Sequence, residues 1–174
     1  VSKICKSSRR CSNKHLVGGR YTGRGMALAY ELTFPGGYES GPDAGVIMSS
    51  MLDWQEMVER HKTARGIDLY TSAKHSGSVR RSVLLMYGEE AWFWGQGEKF
   101  YKNLPKEGWI NDNYFQKEWR LMSGVEHEVF TLEADGSYDS KPVAIIINFF
   151  ERVRASDFNT ENLIQKILSV SSSE

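Results

Sequence analysis

The first 24 residues carry seven basic side chains, Lys3, Lys6, Arg9, Arg10, Lys14, Arg20 and Arg24, with no acidic one and few large apolar ones. A segment of that kind cannot bury enough apolar surface to offset the entropy of ordering its backbone. Folding is therefore expected in a single domain over 25–174, behind a flexible basic arm over 1–24 with a hinge at Gly18-Gly19 and Gly23-x-Gly25. The rest of the chain holds 15 of the 22 basic residues and all 22 acidic ones, so a net charge of zero is a +7 arm joined to a −7 body. Such arms are drawn to phosphate, on an anionic membrane surface or a nucleoprotein. A solvated tail that only aids solubility gives the same pattern.

Hydrophobic periodicity supplies the elements. Met26, Leu28, Tyr30, Leu32 and Phe34 alternate with smaller or polar residues, the period of a half-buried strand, and Pro35-Gly36-Gly37 closes it. Ile47, Met51, Trp54 and Val58 fall at helical spacing, with Met48 and Leu52 widening the stripe. A helix is predicted there, over 43–61, with Pro42, Asp43 and Gly66 suited to its ends. Strands are predicted over 67–73, 79–87, 91–94 and 125–133, and a short helix over 114–122. The stretch from Trp92 to Trp119 holds nine aromatic residues, as a packed cover or a binding surface. Trp92, Trp94 and Phe100 are assigned to the core, and Trp109, Tyr114 and Trp119 to a partner-binding surface. The β-branched run Val143-Ala144-Ile145-Ile146-Ile147 reads as a central strand buried on both faces, within 143–153. Asn159 caps a closing helix over 160–168. Together these elements predict an α+β domain, with a mostly antiparallel or mixed sheet packed against two main helices.

No catalytic motif stands out. Cys5, Cys11 and His15 are spaced like three ligands of a zinc finger, but no fourth ligand lies near. No metal and no cofactor is expected, and both thiols are read as free in a reducing compartment. No uninterrupted apolar run exceeds five residues, far short of the ~20 of a membrane-spanning helix, and no apolar leader opens the chain. An intracellular, membrane-associated or virion location is expected. Glu126-His127-Glu128 on a strand would put the imidazole on one face and both carboxylates on the other. His127 acting as a base would then need Glu118 or another acid to orient it. His61 suits a helix C-terminus, and His75 a turn. A small nuclease or transferase, the enzyme alternative, would draw on His127, His75 or His61. The stretch from Gly18 to Gly25 is like a phosphate loop without its Gly-Lys-Ser/Thr, with no predicted strand before it or helix after it.

The order of elements (basic arm, strand 26–34, helix with Trp54, sheet strands, closing segment 143–168) resembles that of rhabdovirus matrix proteins, without their Pro-Pro-x-Tyr motif. The resemblance implies a non-enzymatic structural protein. It would self-associate, bind an anionic membrane through Lys3, Lys6, Arg9, Arg10, Lys14, Arg20 and Arg24, and condense a nucleoprotein. Each such cation contributes about 1 kcal/mol near an anionic surface. The third expectation is an effector that binds a host protein through the aromatic surface.

Overall fold

The structure is a computed structural model that describes residues 16–20, 24–33, 42–53, 55, 56, 59, 75–110, 113–130, 136, 137 and 139–171. Chain order is β1 (Leu16–Arg20), α1 (Met26–Thr33), β2 (Ala44–Met48), a 3-10 turn at Ser76–Ser78, β3 (Ser82–Gly88), α2 (Trp94–Asn103), β4 (Gly108–Ile110), β5 (Asn113–Phe115), β6 (Lys117–Met122) and α3 (Ser140–Ser171). Strands β1, β2, β3 and β6 form one sheet in that order, and every pair in it is parallel. Strands β4 and β5 make a separate antiparallel ribbon. The α+β expectation holds at this level, with three helices delimited among the described residues. The antiparallel or mixed sheet does not: parallel neighbours cannot be joined by a hairpin and need a crossover, and α1 and α2 supply two of them.

Side chains alternate across the sheet and build a core on each face. Val83, Leu85 and Tyr87 of β3 point toward a cluster that includes Leu28 and Leu32 of α1 and Phe100 of α2. Leu84 and Met86 point to the opposite cluster, where Phe149 and Val153 of α3 close over Val46, Met48 and Met122. Strands β2 and β3 are buried at every position, as expected of parallel strands covered by helices on both faces. Among the described residues no helix is long and apolar enough to cross a membrane.

Four predicted elements are corrected. Residues 26–33 are a helix, not a strand. Leu28 and Leu32 satisfy either period, because a spacing of four is both two strand repeats and one helical turn. Tyr30 separates the two: a strand would bury it beside them, and it is 42% exposed. Residues 44–48 of the expected helix 43–61 are a strand, because Ala44-Gly45-Val46-Ile47-Met48 is buried throughout rather than on one stripe, whereas residues 55, 56 and 59 of that helix are helical. Residues 114–122 hold β5 and β6 instead of a helix. Residues 143–153 lie in α3, not in a central strand. Pro142 occupies the first turn of α3, where its missing N–H costs nothing, and the Asp139 carboxylate accepts from the Lys141 N–H at 2.9 Å.

Smaller corrections follow. The predicted strand at 91–94 is a turn leading into α2, and 125–130 carry no regular element. The predicted strand at 79–87 is β3, and the closing helix 160–168 lies within α3. The predicted strand at 67–73 and Trp54 lie outside the described residues, as do Lys3, Cys5, Lys6, Arg9, Arg10, Cys11, Lys14 and His15 of the expected arm. Residues 16–20 of that arm are β1, paired in register with β2.

The helical assignment of α3 predicts a contrast between near neighbours. Phe149 is fully buried and Ile147 is 50% exposed. Phe149→Ala should cost about 3–5 kcal/mol, and Ile147→Ala less than about 0.5 kcal/mol, read by urea denaturation. Equal large losses at both positions would restore the two-faced buried strand.

Candidate active site

All four strands of the parallel sheet end on the same edge, where open α/β sheets bind their ligands. Two of the segments leaving that edge are tied to each other. After β3, the Glu89 N–H donates to the Met122 carbonyl at 2.9 Å and the Glu90 N–H to the Val125 carbonyl at 3.1 Å. The Ser123 hydroxyl donates to the Glu89 carboxylate at 2.6 Å. A Cβ on Gly88 would overlap the carbonyl oxygens of Val125 and Glu126, so glycine is what allows the segment after β3 to lie directly against the segment after β6.

Between them lies an open pocket of about 390 Å³, lined by Met51, Glu90, Ala91, Trp92, Phe93, Glu126 and His127. His127 is partly buried, with its ring edge-on to Phe93 at 5.0 Å. Phe93 is in turn edge-on to Trp92 at 5.2 Å. Met51 comes from the segment after β2, which α2 holds in place. The Gln96 carboxamide oxygen accepts from the N–H groups of Leu52 and Asp53, both at 2.9 Å, and its nitrogen donates to Glu56 at 3.2 Å. The buried Tyr87 hydroxyl donates to the Ser50 carbonyl at 2.6 Å. Burial pushes that phenol well above its ordinary range, so it stays a donor at every pH the protein meets.

Two further features mark this edge. Ser49, at the end of β2, takes a φ of 42° and is 2% exposed. A non-glycine residue held in the left-handed region stores strain of the kind that gathers at functional sites. Its hydroxyl has no hydrogen-bond partner among the described residues. The glycine-rich stretch after β1, expected to lack flanking elements, has a strand before it and a helix after it. A Cβ on Gly19 would lie 2.7 Å from the Arg24 carbonyl oxygen and 2.9 Å from the Gly25 Cα, so glycine at 19 lets the end of β1 lie directly against the residues that open α1.

The candidate residues from the sequence are dispersed. His127 is in the pocket. Glu118, offered as its orienting acid, sits on β6 and pairs instead with Arg120 at 2.5 Å and with Arg152. His75 is exposed at the turn before β3, and His61 lies outside the described residues. Because residues 125–130 are not a strand, Glu126 and His127 line one pocket, which the period-2 argument had excluded. Arg20 ends β1, and Arg24 is exposed just before α1. Trp109 and Tyr114 are exposed, edge-on to each other across the β4–β5 ribbon at 5.5 Å. Trp119 instead packs on the core, stacked on Tyr87 at 5.3 Å, whereas Trp92, assigned to the core, is 42% exposed. Glu90, Trp92 and Met51 were missed. The available signal was positional, an acidic pair directly after β3 and a histidine five residues after β6, its neighbour in the sheet.

No family profile matches the chain, and no curated protein matches its sequence. Solved structures do match its fold. The acylaminoacyl peptidase of Pyrococcus horikoshii superposes with a TM-score of 0.59 at 15% identity, over 87% of this chain and 26% of that one. The monoacylglycerol lipase of Paleococcus ferrophilus gives 0.50 at 14% identity, over 78% and 68%. Dipeptidyl peptidase 4 of Porphyromonas gingivalis gives 0.51 at 13% identity, over 78% and 19%. The chain thus spans about a quarter of the length of the first of these. The likeness is one of fold, to part of an α/β hydrolase. It corrects the expected rhabdovirus-matrix resemblance. The non-enzymatic assembly role that resemblance implied falls with it, since the matching structures are peptidases and a lipase.

Proposed function

We propose that this chain supplies the acid–base part of a hydrolase site for carboxylic esters or amides, with His127 as general base and Glu90 as the carboxylate that orients it. The observation that carries the reading is the pocket that brings His127 and Glu90 together at the carboxyl edge of a parallel sheet. In α/β hydrolases the nucleophile sits on a sharp strand-to-helix turn, and the chain order is nucleophile, acid, histidine. Here β1 turns into α1, the acidic pair follows β3, and His127 follows β6. The names of the similarly folded structures, two peptidases and a lipase, support the same reaction class.

The sequence that links β1 to α1 departs from the pattern in one residue. Gly19-Arg20-Tyr21-Thr22-Gly23 keeps both glycines of the Gly-x-Ser-x-Gly elbow and puts Tyr21 where the serine stands. His127 then acts on a water. The imidazole takes a proton as the water oxygen adds to the carbonyl carbon, and returns it to the leaving oxygen or nitrogen as the tetrahedral adduct collapses. No bond forms between substrate and protein. Hydrolysis of p-nitrophenyl butyrate should therefore show no initial burst, since a burst is the fingerprint of an accumulating acyl-enzyme, and a fluorophosphonate should leave the protein unlabelled. Stoichiometric labelling that Thr22→Ala abolishes would replace water with the Thr22 hydroxyl. Absence of any esterase or amidase activity would overturn the hydrolase reading itself.

A further inference from the structure

The walls of the pocket carry information about its substrate, an inference that rests on the hydrolase reading of the same site. Met51, Ala91 and Phe93 give it an apolar side. Its charged lining residues are both carboxylates, Glu90 and Glu126, with no lysine or arginine among the seven side chains. Two of the basic residues nearest in sequence are engaged elsewhere, Lys99 with Asp53 and Arg120 with Glu118. Trp92, half-exposed on the same lining, offers an indole ring, the aromatic surface most attractive to a cation.

These features make different demands on a ligand. An anionic group would meet two carboxylates. A neutral apolar group would be served by the walls alone and would make no use of the carboxylates. An apolar group that carries a positive charge is served by both. We propose that the pocket selects a cationic hydrophobic substrate, an ester or amide bearing an ammonium held between Glu126 and the Trp92 ring while its carbonyl lies beside His127.

The test is equilibrium binding, which is independent of turnover. Choline and its uncharged isostere 3,3-dimethylbutanol differ only in the charged centre, and their binding can be compared by NMR titration. Choline should bind about tenfold more tightly, and Glu126→Gln combined with Trp92→Ala should remove the preference. Raising the salt concentration should shrink it, because the carboxylates are exposed. Equal affinity for the two compounds, or a preference that survives the double substitution, overturns the proposal. The two readings fail separately. A protein that prefers choline yet cleaves neither butyrylcholine nor p-nitrophenyl butyrate sinks the hydrolase reading and keeps the cationic pocket. One that cleaves butyrylcholine and 3,3-dimethylbutyl butyrate at the same kcat/KM does the opposite.

Discussion

His127→Gln should slow hydrolysis of p-nitrophenyl butyrate by about 10²–10⁴-fold, the usual worth of a positioned general base. Thermal unfolding should barely move, because the side chain is only partly buried and belongs to a segment without regular structure. Glu90→Gln should lower the rate in the same direction by a smaller factor, since it acts on the base and not on the substrate. Glu118→Gln is the contrasting case. Its carboxylate is engaged by Arg120 and Arg152 on β6 and α3, away from the pocket lining, so kcat/KM should stay at the parental value. A His127→Gln protein as fast as its parent would remove the residue from the chemistry, and a Glu118→Gln protein as slow as His127→Gln would return the orienting role to Glu118.

Gly88→Ala should damage stability and rate together. The added methyl would overlap the Val125 and Glu126 carbonyl oxygens and lie 2.8 Å from the Glu126 carbonyl carbon. These are backbone atoms, so no side-chain rotation relieves the clash and the segment carrying His127 has to move outward. Overpacking of this kind costs about 1–3 kcal/mol, and a displacement of ~1 Å at a catalytic group can cost about 10²-fold in rate. Gly95→Ala is the control, because a Cβ there meets nothing. In the first turn of α2 it should be neutral or stabilising by up to about 1 kcal/mol. Urea denaturation and kcat/KM measured on both variants decide the point. If Gly88→Ala is as stable and as active as Gly95→Ala, the two segments are not in contact.

Much of the chain's architecture was ambiguous for reasons visible at particular residues. Leu28 and Leu32 fit two periods at once, and only the exposure of Tyr30 separates them. The runs at 44–48 and 143–147 look alike in composition, both short and apolar, yet the first is a buried strand and the second lies in a helix. Periodicity cannot separate short apolar runs. For 143–147 the deciding residues lie outside the run: Pro142, Phe149 and Val153 continue a helical stripe. Strand β3 was legible because Val83 to Tyr87 follows Ser82 and ends at Gly88, with no competing helical continuation. His127 was legible as a candidate because few residue types do its chemistry, but its acid was not. Glu118 or another acid was the expectation with no spacing to specify which, and Glu90, which shares the pocket, arrives from the turn after β3. The charge of the first 24 residues drew the reading toward an arm and away from β1, whose Leu16 and Val17 are too few to register as a strand.

The parallel sheet also sets when the pocket can come into being. Leu16 pairs with Ala44, Ala44 with Ser82 and Val83 with Lys117, so each pairing closes a loop of about 28 to 38 residues and none can zip from a local hairpin. Sheets of this kind form late and slowly, because the entropy of each closure is lost before its contacts are gained. β6 is the last strand of the sheet in chain order, and His127 follows it. A nascent chain that has emerged only as far as β3 already carries Glu90, Trp92 and Met51 within its sequence or just beyond, but no base, and its newest strand presents an unpaired edge. Docking of β6 covers that edge and delivers the histidine in one event, so the pocket is assembled no earlier than the completion of the sheet itself.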